Sequence, residues 1–131
     1  MKHYLIIYVA TLIVMTALDM LWLGGIARSF YKDRLGDLME IHLLPAILFY
    51  LMYVAGIIIF SHHGSNTGWQ STLLYGALFG FFAYATYDLT NLSTLRGWSL
   101  SLSIVDIGWG TVVTAIAATG GQLITDFFER S

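Results

Sequence analysis

The sequence contains no cysteine and has few charged residues. The absence of cysteine among 131 residues excludes disulfides, thiolate metal sites and cysteine nucleophiles. Charged residues make up 11% of the chain and hydrophobic residues 57%, whereas soluble domains carry about 25% charged residues. This composition leaves too little polar surface for a water-soluble protein of this length. The net charge of −2, without a basic stripe, argues against a nucleic-acid partner.

Four long apolar segments dominate the chain, and we predict membrane spans at residues 4–27, 42–60, 72–92 and 100–124. Each is close to the ~20 residues that a helix needs to cross a ~30 Å hydrocarbon layer. The first segment is longer than the apolar region of a signal peptide, so we expect it to be retained. The period-two alternation of apolar and polar residues that is typical of barrel strands is absent from the sequence. The prediction is one all-α domain, residues 1–131, an integral membrane protein forming a compact antiparallel four-helix bundle.

The connecting loops predict an orientation in the membrane. Loops 28–41 and 93–99 lie on one side, and both termini lie on the other. The loop side carries four basic residues, Arg28, Lys32, Arg34 and Arg96, whereas the terminal side carries Lys2 and Arg130. The positive-inside rule therefore predicts that loops 28–41 and 93–99 are cytoplasmic and that both termini are periplasmic or extracellular.

Small residues recur at four-residue spacing in the third and fourth segments. Gly76 and Gly80 form a G-x-x-x-G pattern, and Gly110, Thr114 and Ala118 form a second stripe. Such stripes let helix backbones approach closely in lipid. We therefore predict that these two faces are packing surfaces.

Three aspartates lie inside the apolar segments, at Asp19, Asp88 and Asp106. A charged residue in a span usually faces the bundle interior, because exposure to lipid costs about 2.5–3.5 kcal/mol on insertion scales. At 1.5 Å per residue, the three lie about 22, 24 and 27 Å from the side of the termini. They are thus expected within about one helical turn of a common depth, close to the side of loops 28–41 and 93–99.

Each aspartate is followed three positions later by a residue that can donate a hydrogen bond or stack. The pairs are Asp19 with Trp22, Asp88 with Asn91, and Asp106 with Trp109. Residues three apart share a helix face, so we predict that these six residues form a polar pocket. Glu40, His42 and Arg96 are expected at the mouth of this pocket.

The chemistry that such a pocket allows is open at the level of sequence. Three carboxyl groups in a low-dielectric site could bind a cation, relay a proton, or hold a polar headgroup or hydroxyl. No metal motif of diagnostic spacing is present, so neither a metal nor another cofactor is predicted. No catalytic residue is indicated. In the structural alternative, the aspartates only bond tryptophan and tyrosine groups between helices, and the tryptophans belong to an aromatic belt.

Three stretches of the sequence carry a family resemblance: residues 18–24 (LDMLWLG), 87–92 (YDLTNL) and 106–110 (DIGWG). Together they resemble a family of small bacterial predicted inner-membrane proteins, the domain of unknown function 2177. The resemblance implies a four-span protein of the bacterial inner membrane. It implies no catalytic residue, because the family has no assigned activity.

The sequence leaves three functions open. The first is binding of a lipid headgroup or small amphiphile in the aspartate-lined pocket. The protein would then act either as an enzyme or as an accessory to one. The second is a small transporter coupled to protons or cations. It would work as a homodimer, because four helices alone make a narrow path. The third is a structural or accessory subunit of a membrane complex. Membrane lipids are the expected partners in all three.

Overall fold

A computed structural model of the protein describes residues 2–26, 33, 43–61 and 68–130. Four α-helices make up most of these residues: α1 (Lys2–Leu21), α2 (Leu43–Ser61), α3 (Trp69–Thr94) and α4 (Leu100–Arg130). Helix α1 continues directly into a π-helical turn, Trp22–Ile26. Within these ranges the structure has no strand. The prediction of an all-α membrane bundle is confirmed.

Three of the helices are long and apolar enough to cross a membrane, over His3–Leu21, Leu44–Ser61 and Leu100–Glu129. Helix α3 is also long, at 26 residues, but tyrosines, threonines and Asp88 interrupt its apolar side chains. It packs against both α2 and α4, so part of this polar character is covered by protein. Helix α4 continues beyond the predicted end at residue 124 and reaches Arg130.

The outer surface of the bundle is covered with large apolar side chains. The most exposed include Met52, Met20, Leu44 and Phe127, each with about two thirds or more of its surface accessible. The buried core is small and includes Met15, Val54, Ile57 and Val113. Apolar area on this scale is not left open to water in soluble monomers. The distribution is that of a protein whose outer solvent is lipid.

The small residues of α3 and α4 meet as the sequence predicts. A Cβ atom on Gly80 would overlap the carbonyl oxygen of Gly110 and the side chain of Thr114. One on Gly76 would lie 3.0 Å from the Cβ of Ala118. This is the most extensive helix pair in the described structure, because backbones without bulky side chains can approach closely.

Helix α2 packs mainly through aromatic rings, and the Phe79 ring of α3 lies directly against Gly56. Tyr53 stacks with Phe49 on its own helix and with Phe79 of α3, both at 5.1 Å between ring centroids, and Phe60 also stacks on Phe79. The Tyr53 hydroxyl shares a 2.7 Å hydrogen bond with Thr114 Oγ1. Rings hold helix axes further apart than glycines do, which leaves room for a cavity beside α2.

Candidate functional site

Asp19 joins three helices near the end of α1. Its side chain is 6% exposed. The Tyr50 hydroxyl of α2 donates to Oδ2 at 2.6 Å, and Trp109 Nε1 of α4 donates to Oδ1 at 2.8 Å. Each carboxyl oxygen therefore has its own donor. The two hydrogen bonds join α1 to α2 and α4, so Asp19 both holds these helices together and is fixed in position.

Two tryptophans stack beside this carboxyl. The rings of Trp22 and Trp109 lie 4.4 Å apart and only 5° from parallel. Trp22 opens the π-helical turn that follows α1, a local geometry that occurs frequently at functional sites. The sequence pairs Asp19 with Trp22, but the tryptophan that donates a hydrogen bond to Asp19 is Trp109 of another helix. Trp109 donates to Asp19 from α4, and Trp22 covers Trp109.

A cavity of about 520 Å³ opens next to these groups. All four helices and the π-helical turn contribute to its wall. The lining residues are Asp19, Trp22, Pro45, Ala46, Phe49, Tyr50, Ala83, Tyr84, Tyr87, Asp106 and Trp109. The size is within the range of small-molecule sites, and a mostly apolar wall with a few fixed polar groups is typical of them. Here the polar groups include two carboxyls.

Asp88 lies behind the cavity wall and is fully buried. Neither of its carboxyl oxygens accepts a hydrogen bond from a donor in the described part of the chain. The group that faces it is the carboxyl of Asp106, which lines the cavity. Asp19 also lies close enough to interact electrostatically with Asp106.

Four of the six residues that the sequence predicts for the pocket line the cavity. They are Asp19, Trp22, Asp106 and Trp109. Asp88 does not line the cavity, but it interacts with Asp106, which does. Asn91 does not line the cavity. Its side chain is hydrogen-bonded to Tyr87, which is a lining residue. Asp106 of α4 thus interacts with Asp19 of α1 and with Asp88 of α3.

The predicted mouth of the pocket is only partly within the described structure. Arg96 follows the end of α3 and is exposed. Glu40 and His42 lie outside the described residues. The role of these three residues at the mouth therefore stays a prediction. Among the described residues, no group of three His, Asp or Glu side chains is placed to hold a metal ion.

One wall of the cavity comes from the first two turns of α2, and none of its residues was predicted from the sequence to belong to the pocket. It consists of Pro45, Ala46, Phe49 and Tyr50. Three of these are apolar residues in an apolar helix, so their types carry no functional signal. Tyr50 does carry one, because a hydroxyl inside a span requires a hydrogen-bond partner. The aspartates of the other spans are the acceptors that this hydroxyl could be expected to contact.

Comparison with known proteins adds a family assignment. No curated protein and no solved structure is significantly similar to this chain. The family model of predicted membrane proteins DUF2177 matches residues 4–123. The match extends from the first turn of α1 to residue 123 of α4 and includes the three stretches that carry Asp19, Asp88 and Asp106. The chain therefore belongs to the DUF2177 family of predicted membrane proteins.

Proposed function

We propose that this membrane protein binds a small amphiphile, such as a lipid headgroup with part of its chain, in the aspartate-lined cavity. One observation carries the proposal: aromatic rings surround a space of about 520 Å³ that also contains the carboxyls of Asp19 and Asp106. Rings provide a large apolar contact area. The carboxyls provide acceptors for the polar end of the ligand.

The position of the cavity supports an amphiphile. The lining residues come from the end of α1, the beginning of α2, the later part of α3 and the beginning of α4. In an antiparallel bundle these segments lie at the same end. The cavity is therefore near one membrane face, at the depth where headgroups meet acyl chains. A ligand there can keep its polar end near water and its apolar end in the bundle.

Filling the cavity should abolish binding without removing a polar group. We expect Ala46→Phe to reduce the amount of co-purifying lipid or amphiphile about tenfold or more, because the added ring occupies the space of the ligand. Ile47→Phe is the matched control, since Ile47 is the next residue, is 53% exposed and does not line the cavity. Native mass spectrometry of both variants, after gentle extraction from membranes, measures the retained ligand.

Equal ligand retention by Ala46→Phe and Ile47→Phe would contradict the proposed site. Helical circular dichroism and size-exclusion elution confirm that each variant is folded. A folded Ala46→Phe protein that has lost its ligand, beside an Ile47→Phe protein that has kept it, supports binding in this cavity.

A transporter and a structural subunit are the other two candidates. The buried carboxyl of Asp88 favours a transporter coupled to protons, because ionisable residues inside membrane spans mark the proton relays of pumps and transporters. The hydrogen bonds of Asp19 favour a structural role, because they join α1, α2 and α4. A purely structural role does not account for the aromatic cavity beside these groups.

We further propose that the protein lies in the inner membrane, with loops 28–41 and 93–99 in the cytoplasm and both termini outside. The absence of native cysteine allows a direct test. Leu95→Cys and Gly68→Cys place single exposed thiols near opposite ends of α3. A membrane-impermeant maleimide should label Gly68→Cys in intact cells and Leu95→Cys only after permeabilisation. The reverse labelling would show the opposite orientation.

A further inference from the structure

The cavity is polar on one side and apolar on the other. Both carboxyls of its described wall, Asp19 and Asp106, come from α1 and α4. The side formed by α2 and α3 consists mainly of apolar and aromatic side chains, such as Ala46, Phe49 and Ala83. An amphiphile in this space would therefore lie across the bundle, with its polar end toward α1 and α4 and its apolar part toward α2 and α3.

The apolar side of the cavity is also its exposed side. The lining residues of α1, the π-helical turn and α4 are buried or half-buried. By contrast, Phe49 of α2 is 46% exposed and Tyr87 of α3 is 57% exposed, and both line the cavity. A side chain that lines a cavity and is also exposed lies at its rim. Phe49 and Tyr87 therefore mark two sides of an opening.

These two rim residues lie along one seam between α2 and α3. The two helices are in contact where the ring of Tyr53 lies 6.0 Å from the ring of Tyr84. Phe49 is one turn before Tyr53 on α2, and Tyr87 is one turn after Tyr84 on α3. Because the helices are antiparallel, both steps lead toward the cavity end of the bundle. The opening therefore lies between α2 and α3, next to the point where they touch.

The depth of the rim places this opening against acyl chains. Tyr87 lies seven residues before Thr94, the end of α3, a rise of about 10 Å. The 26 residues of α3 extend over about 39 Å, whereas the hydrocarbon layer is about 30 Å thick. A helix centred on the layer projects from it by about 4–5 Å at each end. Tyr87 is then about 5 Å inside the hydrocarbon, so the opening faces lipid chains and not water.

The size of the cavity limits how much of a lipid it can enclose. A space of about 520 Å³ holds roughly 17 atoms of the size of a water molecule, at about 30 Å³ each. A membrane lipid with a headgroup and long acyl chains is much larger than this. Such a ligand fits only if most of its chain length lies outside the cavity, and the opening between α2 and α3 is where the chains could leave.

Resting on the proposed binding function, we propose that the ligand is a long-chain membrane lipid that enters sideways from the bilayer between Phe49 and Tyr87. Its polar end lies toward Asp19 and Asp106, and the first part of a chain lies among the rings of the cavity. The rest of the chain stays in the surrounding lipid. Phe49 and Tyr87 flank the chain where it leaves the protein.

A chain-borne photoprobe tests whether lipid chains enter the cavity. Cells that express the protein are grown with a fatty acid that carries a diazirine at mid-chain and is incorporated into all their phospholipid classes. After irradiation, mass spectrometry of peptides locates the label. We expect label on Tyr84 inside the cavity, as on Met52, which is 74% exposed on the outer surface. Met15 is fully buried in the core and should stay unlabelled. Ala46→Phe should lose the label on Tyr84 and keep that on Met52, whereas Ile47→Phe should keep both.

Removing a ring from the rim tests the route itself. Phe49→Ala should reduce the amount of co-purifying lipid about threefold or more, because the chain loses an aromatic contact where it leaves the protein. Phe82→Ala is the matched control, since it removes the same ring from a residue of α3 that is 63% exposed and does not line the cavity. It should retain as much lipid as the wild type. Native mass spectrometry measures both variants.

Three results would overturn this inference. They are label confined to outer residues such as Met52, equal lipid retention by Phe49→Ala and Phe82→Ala, and a retained ligand whose mass shows a compact molecule without a long chain. None of them removes the proposed function, which is judged by ligand retention in Ala46→Phe against Ile47→Phe. The labelling of Tyr84 and the mass of the ligand are read from the wild-type protein, so they stand even if a variant does not fold.

Discussion

Replacing Gly80 by alanine should lower the free energy of unfolding by about 3 kcal/mol, at the upper end of the usual range for overpacking. The added methyl group would overlap the carbonyl oxygen of Gly110 and the side chain of Thr114. A backbone carbonyl in a helix cannot turn aside, so α3 and α4 would have to separate. Reversible unfolding in mixed micelles, followed by helical circular dichroism, measures the change.

Gly108→Ala is the matched control for this prediction. Gly108 is exposed on α4, and a Cβ atom there would meet nothing within 4 Å. Alanine is favoured over glycine in a helix interior by roughly 0.5–1 kcal/mol, so this variant should be as stable as the wild type or slightly more stable. Equal free energies of unfolding for Gly80→Ala and Gly108→Ala would show that the close contact of α3 with α4 does not stabilise the bundle.

The interface between α3 and α4 could be predicted from sequence because its signal is local. Gly76, Gly80 and Gly110 are small residues at helical spacing in apolar segments, and the contacts they make follow directly from that pattern. The packing of α2 was less predictable. It depends on rings of Phe49, Tyr53 and Phe79, and aromatic residues are equally common on faces that point to lipid.

The candidate site shows the same limit. Depth along each helix placed Asp19, Asp88 and Asp106 at one level, because helical rise is constant. The sequence does not contain the rotation of one helix relative to another. That rotation decides that Trp109 donates to Asp19 and that Asp88 faces Asp106. The part of the cavity wall that α2 provides was not predicted either. Ala46 and Phe49 are apolar residues of an apolar span, so their residue types do not show which of them faces a cavity.

The two most deeply buried aspartates are satisfied to very different degrees. Asp19 accepts one hydrogen bond on each oxygen, from Tyr50 and from Trp109. Asp88 accepts none from the described residues and faces a second carboxyl. An unsatisfied buried polar group costs about 1–3 kcal/mol of stability. A purely structural cluster has no reason to keep that cost, whereas a functional site can keep it in exchange for activity.

The sign of the stability change on Asp→Asn substitution therefore separates a structural cluster from a functional one. Asp88→Asn should raise the free energy of unfolding by about 2 kcal/mol, because it removes a fully buried carboxyl to which no described residue donates. Asp19→Asn should lower it by about 1–2 kcal/mol, because the amide nitrogen cannot accept one of the two hydrogen bonds that the carboxyl accepts from Tyr50 and Trp109. Unfolding in mixed micelles at neutral pH measures both changes. A loss of stability in both variants would favour the structural subunit, and opposite signs favour a binding site built at the expense of stability.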